Sequence, residues 1–232
     1  MIRAVVFDLG GTLMEYRGMP PSWTAYYRPA LEKLRKRLNL PPNHEQLERA
    51  AEILAFLNPR VNYREEEYSP EFIFSQAVGH WKAAAPAAEI IAGFFEGMSL
   101  QAVIFRGAAE VLAKLKGQGL AVAALTDLPS GMPDALFREG IEDLIGCFDL
   151  YVSSQTCGFR KPNPAGLHLI LRHFSLKPEE VLFVGDEEKD ILTARRAGCR
   201  SAWIGKEGTP PGARPDYVVR SLWEVPELAA GI

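Results

Sequence analysis

A carboxylate stands where the first apolar run stops: Ile2 to Phe7 leads into Asp8-Leu9-Gly10-Gly11-Thr12-Leu13. Asp8 is there a candidate nucleophile or metal ligand, beside a glycine pair whose backbone can approach a phosphate closely. Taken alone the pattern is weak, because Gly-Gly pairs mostly mark turns. A second apolar run, Leu120 to Leu125, ends in Thr126 and Asp127. The hydroxyl and backbone N–H of Thr126 suit a phosphoryl oxygen, although the same two residues would equally cap a turn. Gly158-Phe159-Arg160-Lys161-Pro162-Asn163-Pro164 places a lysine next to two prolines that restrict its backbone. An ammonium held there would neutralise a phosphate and the carboxylate attacking it, whereas a loop lysine without that context is simply solvated. The fourth signal is Val181-Leu182-Phe183-Val184 running into Gly185-Asp186-Glu187-Glu188-Lys189-Asp190. Hard oxygen ligands at a strand end suit Mg²⁺, with Asp186 binding the ion. Asp190 would orient a bound water or Lys161, while acidic residues at a helix start are also favoured by the helix dipole.

These residues need elements that bring four distant tips together. The short β-branched runs that carry them do not alternate in polarity, and helical stretches separate them, as near Gly107 to Lys116, Pro164 to Phe174 and Lys189 to Ala197. That rhythm predicts an α/β fold, a Rossmann-like parallel sheet covered by helices on both faces. Such sheets bind ligands at the carboxyl ends of their strands, where Asp8, Thr126, the Lys161 loop and Asp186 fall. Between Thr24 and Gly97 the texture is helical instead, with apolar positions at helical spacing in Arg28 to Leu38, Glu45 to Leu57, Phe72 to Trp81 and Ala87 to Phe95. Ser69-Pro70-Glu71 reads as a helix start with Pro70 at the first helical position.

Asp8-Leu9-Gly10-Gly11-Thr12-Leu13, Thr126, Lys161 and Gly185-Asp186 with Asp190 resemble, in order, the four motifs of the haloacid dehalogenase superfamily. The helical insert after the first motif resembles the α-helical cap of its phosphoglycolate phosphatase-like subfamily. The resemblance implies an α/β core of residues 1–16 and 104–232 and an all-α cap of residues 17–103. Hinges near Glu15 to Pro21 and Met98 to Phe105 would let the cap close over substrate. It also implies a Mg²⁺-dependent phosphatase acting on a small phosphorylated metabolite. Asp8 would take the phosphoryl group, Thr126 would bind it and Lys161 would steady both, with the ion held by Asp8, Asp186 and the carbonyl of Gly10. Gly11, Thr12, Asp127, Glu187 and Asp190 are the remaining candidates for binding phosphate or supporting those groups. One position departs from the family pattern: phosphatases usually carry a second Asp, the general acid and base, where this chain has Gly10. General acid–base help is typically worth roughly 10²–10⁴ in rate, so turnover is expected to favour good leaving groups. Glu15 is a candidate replacement. Dehalogenases also lack that Asp, and a phosphonate-cleaving relative would need a Schiff-base lysine, for which Lys33, Lys36 and Lys82 are the options. A catalytically impaired phosphate-binding or partner-binding module is the non-enzymatic alternative.

Bulk properties set the remaining bounds. The 232 residues are 47% hydrophobic and 24% charged with a formal net charge of −3, as in an ordinary globular protein. That balance argues against a broadly basic face for nucleic acid or anionic membrane, and the Lys33 to Arg37 run reads as a solvated helix face. No segment approaches the roughly 18 apolar residues that would span a bilayer. Cys147, Cys157 and Cys199 lack metal-ligand spacing and suggest free thiols in a cytoplasmic protein. His168 and His173 are five apart and do not share a helix face as a zinc pair would. The aromatics between Trp23 and Phe95 read mainly as core, with Arg28 a candidate contact for an anionic substrate.

Overall fold

The computed structural model describes residues 1–19, 22–81, 85–205 and 212–232. Among them are eight strands: β1 (Ala4–Phe7), β2 (Met14–Tyr16), β3 (Ala102–Ile104), β4 (Ala121–Thr126), β5 (Leu150–Ser153), β6 (Val181–Gly185), β7 (Arg200–Ile204) and β8 (Tyr217–Val219). Six form one parallel sheet in the order β5-β4-β1-β6-β7-β8. β2 and β3 form a separate two-stranded ribbon. The chain divides into two compact units, one of Met1–Glu15, Ala102–Asp127 and Ile141–Ile232, the other of Tyr16–Gln101 and Leu128–Gly140.

In the first unit β1 lies in the middle of the sheet, and all four of its residues are fully buried. An apolar run without alternation is what a strand covered on both faces requires. Ala4 and Val6 join Val181, Phe183, Leu167, Ile170 and Ala194 in one apolar layer beneath the helices Ala165–Phe174 and Glu188–Ala197. Burying each such large aliphatic or aromatic side chain is worth about 1.5–3 kcal/mol. Register then positions the chemistry. Phe7 pairs with Ala124 of β4 and with Val184 of β6, and the Asp8 N–H donates to the Val184 carbonyl at 2.9 Å. Because all these strands run the same way, Asp8, Thr126 and Asp186 emerge along one edge of the sheet.

The second unit holds the helices Thr24–Arg37, His44–Phe56, Pro70–Val78 and Ala87–Met98. Ser69 caps the third through a hydrogen bond from Phe72 N–H at 3.1 Å, with Pro70 in the first turn as the sequence predicts. The first helix begins four residues ahead of the expected Arg28, since Pro29 sits near the helix start and forfeits a single backbone bond. Phe94 is the centre of the unit's core, with ring centroids 5.7 Å from Tyr27, 5.2 Å from Phe74 and 5.1 Å from Phe95. Phe56 and Phe72, by contrast, are exposed. The basic run is partly paired inside this unit: Lys33 donates to the Gly97 carbonyl at 2.8 Å, Arg35 pairs with Glu32 at 2.9 Å, and Arg37 pairs with Glu96. Leu128–Gly140 joins this unit through Ser130, which donates to the Leu57 carbonyl at 3.2 Å, and Met132, whose sulfur accepts from Tyr16. No helix among the described residues is long and apolar enough to cross a membrane.

Candidate active site

The site is built within the first unit alone. After β1 the chain folds back on Leu9, whose carbonyl accepts the N–H groups of Thr12, Leu13 and Met14 at 3.2, 2.8 and 3.0 Å. Leu9 and Leu13 are buried and anchor this turn. Gly11 has φ +90, and a Cβ there would stand 2.1 Å from an Asp186 carboxylate oxygen, so only glycine is compatible with the turn and with Asp186. Gly10 is different: a Cβ there would meet nothing within 4 Å, so packing does not demand glycine at the position of the missing acid.

Three carboxylates converge beyond the turn. One oxygen from each of Asp8, Asp186 and Asp190 lies within 4.8 Å of the others. Lys161 enters from the loop after β5 and places its Nζ 2.6 Å from Asp8 Oδ1 and 2.6 Å from Asp190 Oδ1. Asp190 reaches this position from the first turn of the helix Glu188–Ala197, and its second oxygen accepts the Glu187 N–H at 2.9 Å. Gly185 leaves room for it, since a Cβ there would fall 2.4 Å from the Asp190 side chain. Burial, together with the charges of Asp190 and Asp186, pushes Asp8 up to about 8 against the opposing pull of Lys161. Asp186 is likewise raised to about 6, chiefly by burial and the Asp190 charge. For Lys161 burial favours the neutral amine, but Asp190 and Asp8 outweigh it and hold the ammonium protonated. Three carboxylates against one ammonium leave the cluster short of positive charge. Its all-oxygen donor set is the kind a hard divalent cation takes.

The remaining predicted residues divide by what they touch. Thr12 is buried and donates its hydroxyl to Asp186 Oδ1 at 2.8 Å, so it orients a carboxylate rather than presenting itself to a phosphate. Thr126 is buried at the end of β4. Asp127 is engaged on both oxygens, accepting the Lys161 backbone N–H at 3.0 Å and facing the Lys189 ammonium at 3.1 Å. Burial would raise its pKa, but Lys189, Arg160, Lys161 and the backbone bond hold it well below the usual carboxylate range. A buried anion so held would repel a phosphate, so Asp127 acts through its neighbours. Glu187 caps the helix at Glu188 and pairs with Lys189 at 3.1 Å. Lys189 and the buried Arg160 are the residues that sequence reading passed over. The only trace of Lys189 there is a lone cation inside an acidic run.

The other candidate residues have surroundings of their own. Glu15 is exposed on β2. Arg28 pairs with Glu32 at 2.9 Å and with Glu48 at 3.1 Å inside the helical unit, which leaves its charge already balanced. Lys33 and Lys36 are exposed, unlike a lysine desolvated for Schiff-base chemistry. Lys82, and Pro20 and Pro21 of the first hinge, lie outside the described residues.

A parallel sheet with Asp8, Lys161 and two further aspartates at its carboxyl edge defines a class, and comparison with known proteins names it. The model of the haloacid dehalogenase-like hydrolases matches residues 2–198, and the chain belongs to that family. It is 36% identical over 118 residues to a phosphoglycolate phosphatase of Vibrio vulnificus, which is 49% of this chain and 50% of that protein. It is 34% identical over 160 residues to a phosphoserine phosphatase of Thermus thermophilus, 67% of this chain and 63% of that protein. The chain thus spans between half and two thirds of the length of these relatives. A phosphatase of the same superfamily from Thermococcus onnurineus shares the fold, with a TM-score of 0.67 at 18% identity over 99% of both chains.

Proposed function

We propose that this hydrolase is a Mg²⁺-dependent phosphatase that acts on a small phosphorylated metabolite through a phospho-Asp8 intermediate. The observation that carries the reading is the Lys161 ammonium 2.6 Å from the Asp8 carboxylate, with Asp186 converging on the same point. A pure binding site for phosphate has no use for a buried carboxylate at its centre. The similarity to two phosphatases acting on different phosphorylated acids supports the class and leaves the metabolite open.

Asp8, Asp186 and the Gly10 carbonyl would hold the cation, which when bound would screen the charge between the phosphate and the attacking carboxylate. Lys161 fixes Asp8 and balances charge that spreads onto the transferring group. Asp8 attacks phosphorus, the bond to the ester oxygen breaks, and the leaving group takes its proton from solvent because position 10 offers none. Water then hydrolyses the phospho-Asp8 bond, releasing phosphate and restoring the carboxylate. Thr126 would bind a phosphoryl oxygen, and Thr12 keeps Asp186 aimed at the cation. The protein's contribution is therefore positioning and charge balance rather than proton transfer.

Hydrolysis of p-nitrophenyl phosphate and acetyl phosphate by wild type and Asp8→Asn, with Mg²⁺ and with EDTA, tests this reading. Metal-dependent release that vanishes in Asp8→Asn is expected. Release that survives in the variant, or none from a folded wild type with Mg²⁺ bound, rejects it.

A further inference from the structure

Lys189 occupies a position that local preference disfavours. It stands in the first turn of the helix Glu188–Ala197, where the helix dipole is unfavourable to a cation. Its Nζ lies 3.1 Å from Asp127 Oδ2 and 3.1 Å from Glu187 Oε2. Asp127 Oδ1 meanwhile accepts the backbone N–H of Lys161 at 3.0 Å. One residue beyond Lys189 along the same helical turn, Asp190 holds the Lys161 ammonium at 2.6 Å.

These contacts close a ring. Lys161 is gripped at its ammonium by Asp190 and at its backbone by Asp127, and Lys189 ties Asp127 back to the turn that carries Asp190. Resting on the phosphatase reading above, we infer that Asp127 and Lys189 are a positioning pair that fixes where the Lys161 ammonium meets Asp8. Asp127 directly follows Thr126, so the same clamp steadies the tip of β4. An uncharged side chain at 127 could accept the Lys161 N–H by itself. The carboxylate's second oxygen faces the Lys189 ammonium, with the Asp127 side chain 7% exposed, and among the cations that hold Asp127 ionised Lys189 acts most strongly, ahead of Arg160 and Lys161. Lys189 makes its ion pairs with Asp127 and Glu187, not with the carboxylates around Asp8, which makes it a positioning residue.

The test compares wild type, Lys189→Met, Lys189→Gln, Lys189→Arg, Asp127→Asn and the double variant Asp127→Asn/Lys189→Met, each at a temperature where it is folded. Two readouts are taken: kinetics with p-nitrophenyl phosphate at saturating Mg²⁺, and hydrogen exchange of the Lys161 amide by NMR. Displacing a catalytic group by about 1 Å can cost on the order of 10²-fold, so Lys189→Met and Lys189→Gln should lower kcat about 10–100-fold with KM within about threefold. Lys161 amide exchange should rise about tenfold or more, Lys189→Arg should restore most of both, and the double variant should lose no more than its worse single. Wild-type kcat and exchange in folded Lys189→Met overturn the pairing, as does a rise in KM matching the loss in kcat/KM with exchange unchanged. An inactive wild type rejects the phosphatase reading alone. The exchange arm then still decides the clamp: faster Lys161 exchange in Lys189→Met supports it, and unchanged exchange overturns it.

Discussion

Replacing Lys161 by Met removes an ammonium whose side chain is 1% exposed, from between Asp8 at 5% and Asp190 at 0%. At 2.6 Å each pair has a gross attraction of about 6 kcal/mol for an effective dielectric of about 20. The substitution also abolishes the cost of burying the ammonium, so the net loss is the smaller figure of about 3–5 kcal/mol typical for one partner removed from a buried pair. Protonation limits it. In metal-free protein burial already pushes Asp8 up to about 8, so wild-type stability declines as pH rises from the unfolded carboxylate value of about 3.9 toward 8. Without the ammonium, Asp8 and Asp186 both lose a cation that opposes their raised pKa values, so the folded variant keeps protons that wild type releases above about 6. Its deficit relative to wild type is therefore larger at pH 7 than at pH 5, growing by at most about 1.4 kcal/mol per pH unit for each such proton. Urea denaturation in EDTA at both pH values, followed by circular dichroism, measures the two deficits. Adding Asp190→Asn removes one of the stranded charges, so the double variant should recover about 2 kcal/mol or more relative to the sum of the singles. A deficit equal at pH 5 and pH 7, or strictly additive singles, would refute the shared-cation argument.

Further outcomes follow from the turn after β1. Because the space beside Gly10 is open, Gly10→Asp should fold normally. It should raise turnover of alkyl phosphates by up to about 10²-fold while changing p-nitrophenyl phosphate less; a flat response across leaving groups removes the missing acid as the explanation. Thr12→Val deletes the hydroxyl that orients Asp186 and should weaken Mg²⁺ binding about 10–100-fold in calorimetry, with an unchanged Kd arguing against Asp186 as a ligand. Gly11→Ala forces a Cβ at φ +90 into the Asp186 carboxylate, so it should lose about 1–3 kcal/mol of stability and most of the Mg²⁺ affinity; a stable, metal-binding variant would contradict the turn geometry.

Much of the sheet could be read in advance because a strand buried on both faces has to be apolar throughout. Val181–Gly185 and Ala121–Thr126 satisfy that condition to within a residue of the expected bounds. β8, at the sheet edge, passed unnoticed because only one of its three residues is buried. β2 and β3 escaped for a related reason: each spans three residues, too few to set up a period. Leu128–Gly140 gave no sign of joining the helical unit, since the bonds from Ser130 to Leu57 and from Tyr16 to Met132 depend on chain returns that no local pattern encodes.

The sequence by itself determined which groups the site has available. An apolar run must end where a charge begins, so Asp8, Thr126 and Asp186 could be placed at strand tips, and the glycines after Asp8 marked a sharp turn. What only the tertiary structure decided is which group serves which. The Thr12 hydroxyl turns to Asp186, Asp190 takes the Lys161 ammonium, and Asp127 takes the Lys161 backbone while Lys189 balances it. Residues up to 174 positions apart meet in these pairs. Their partners follow from strand register and from the entry of one helix, where burial leaves each charge with little but its neighbour to stabilise it.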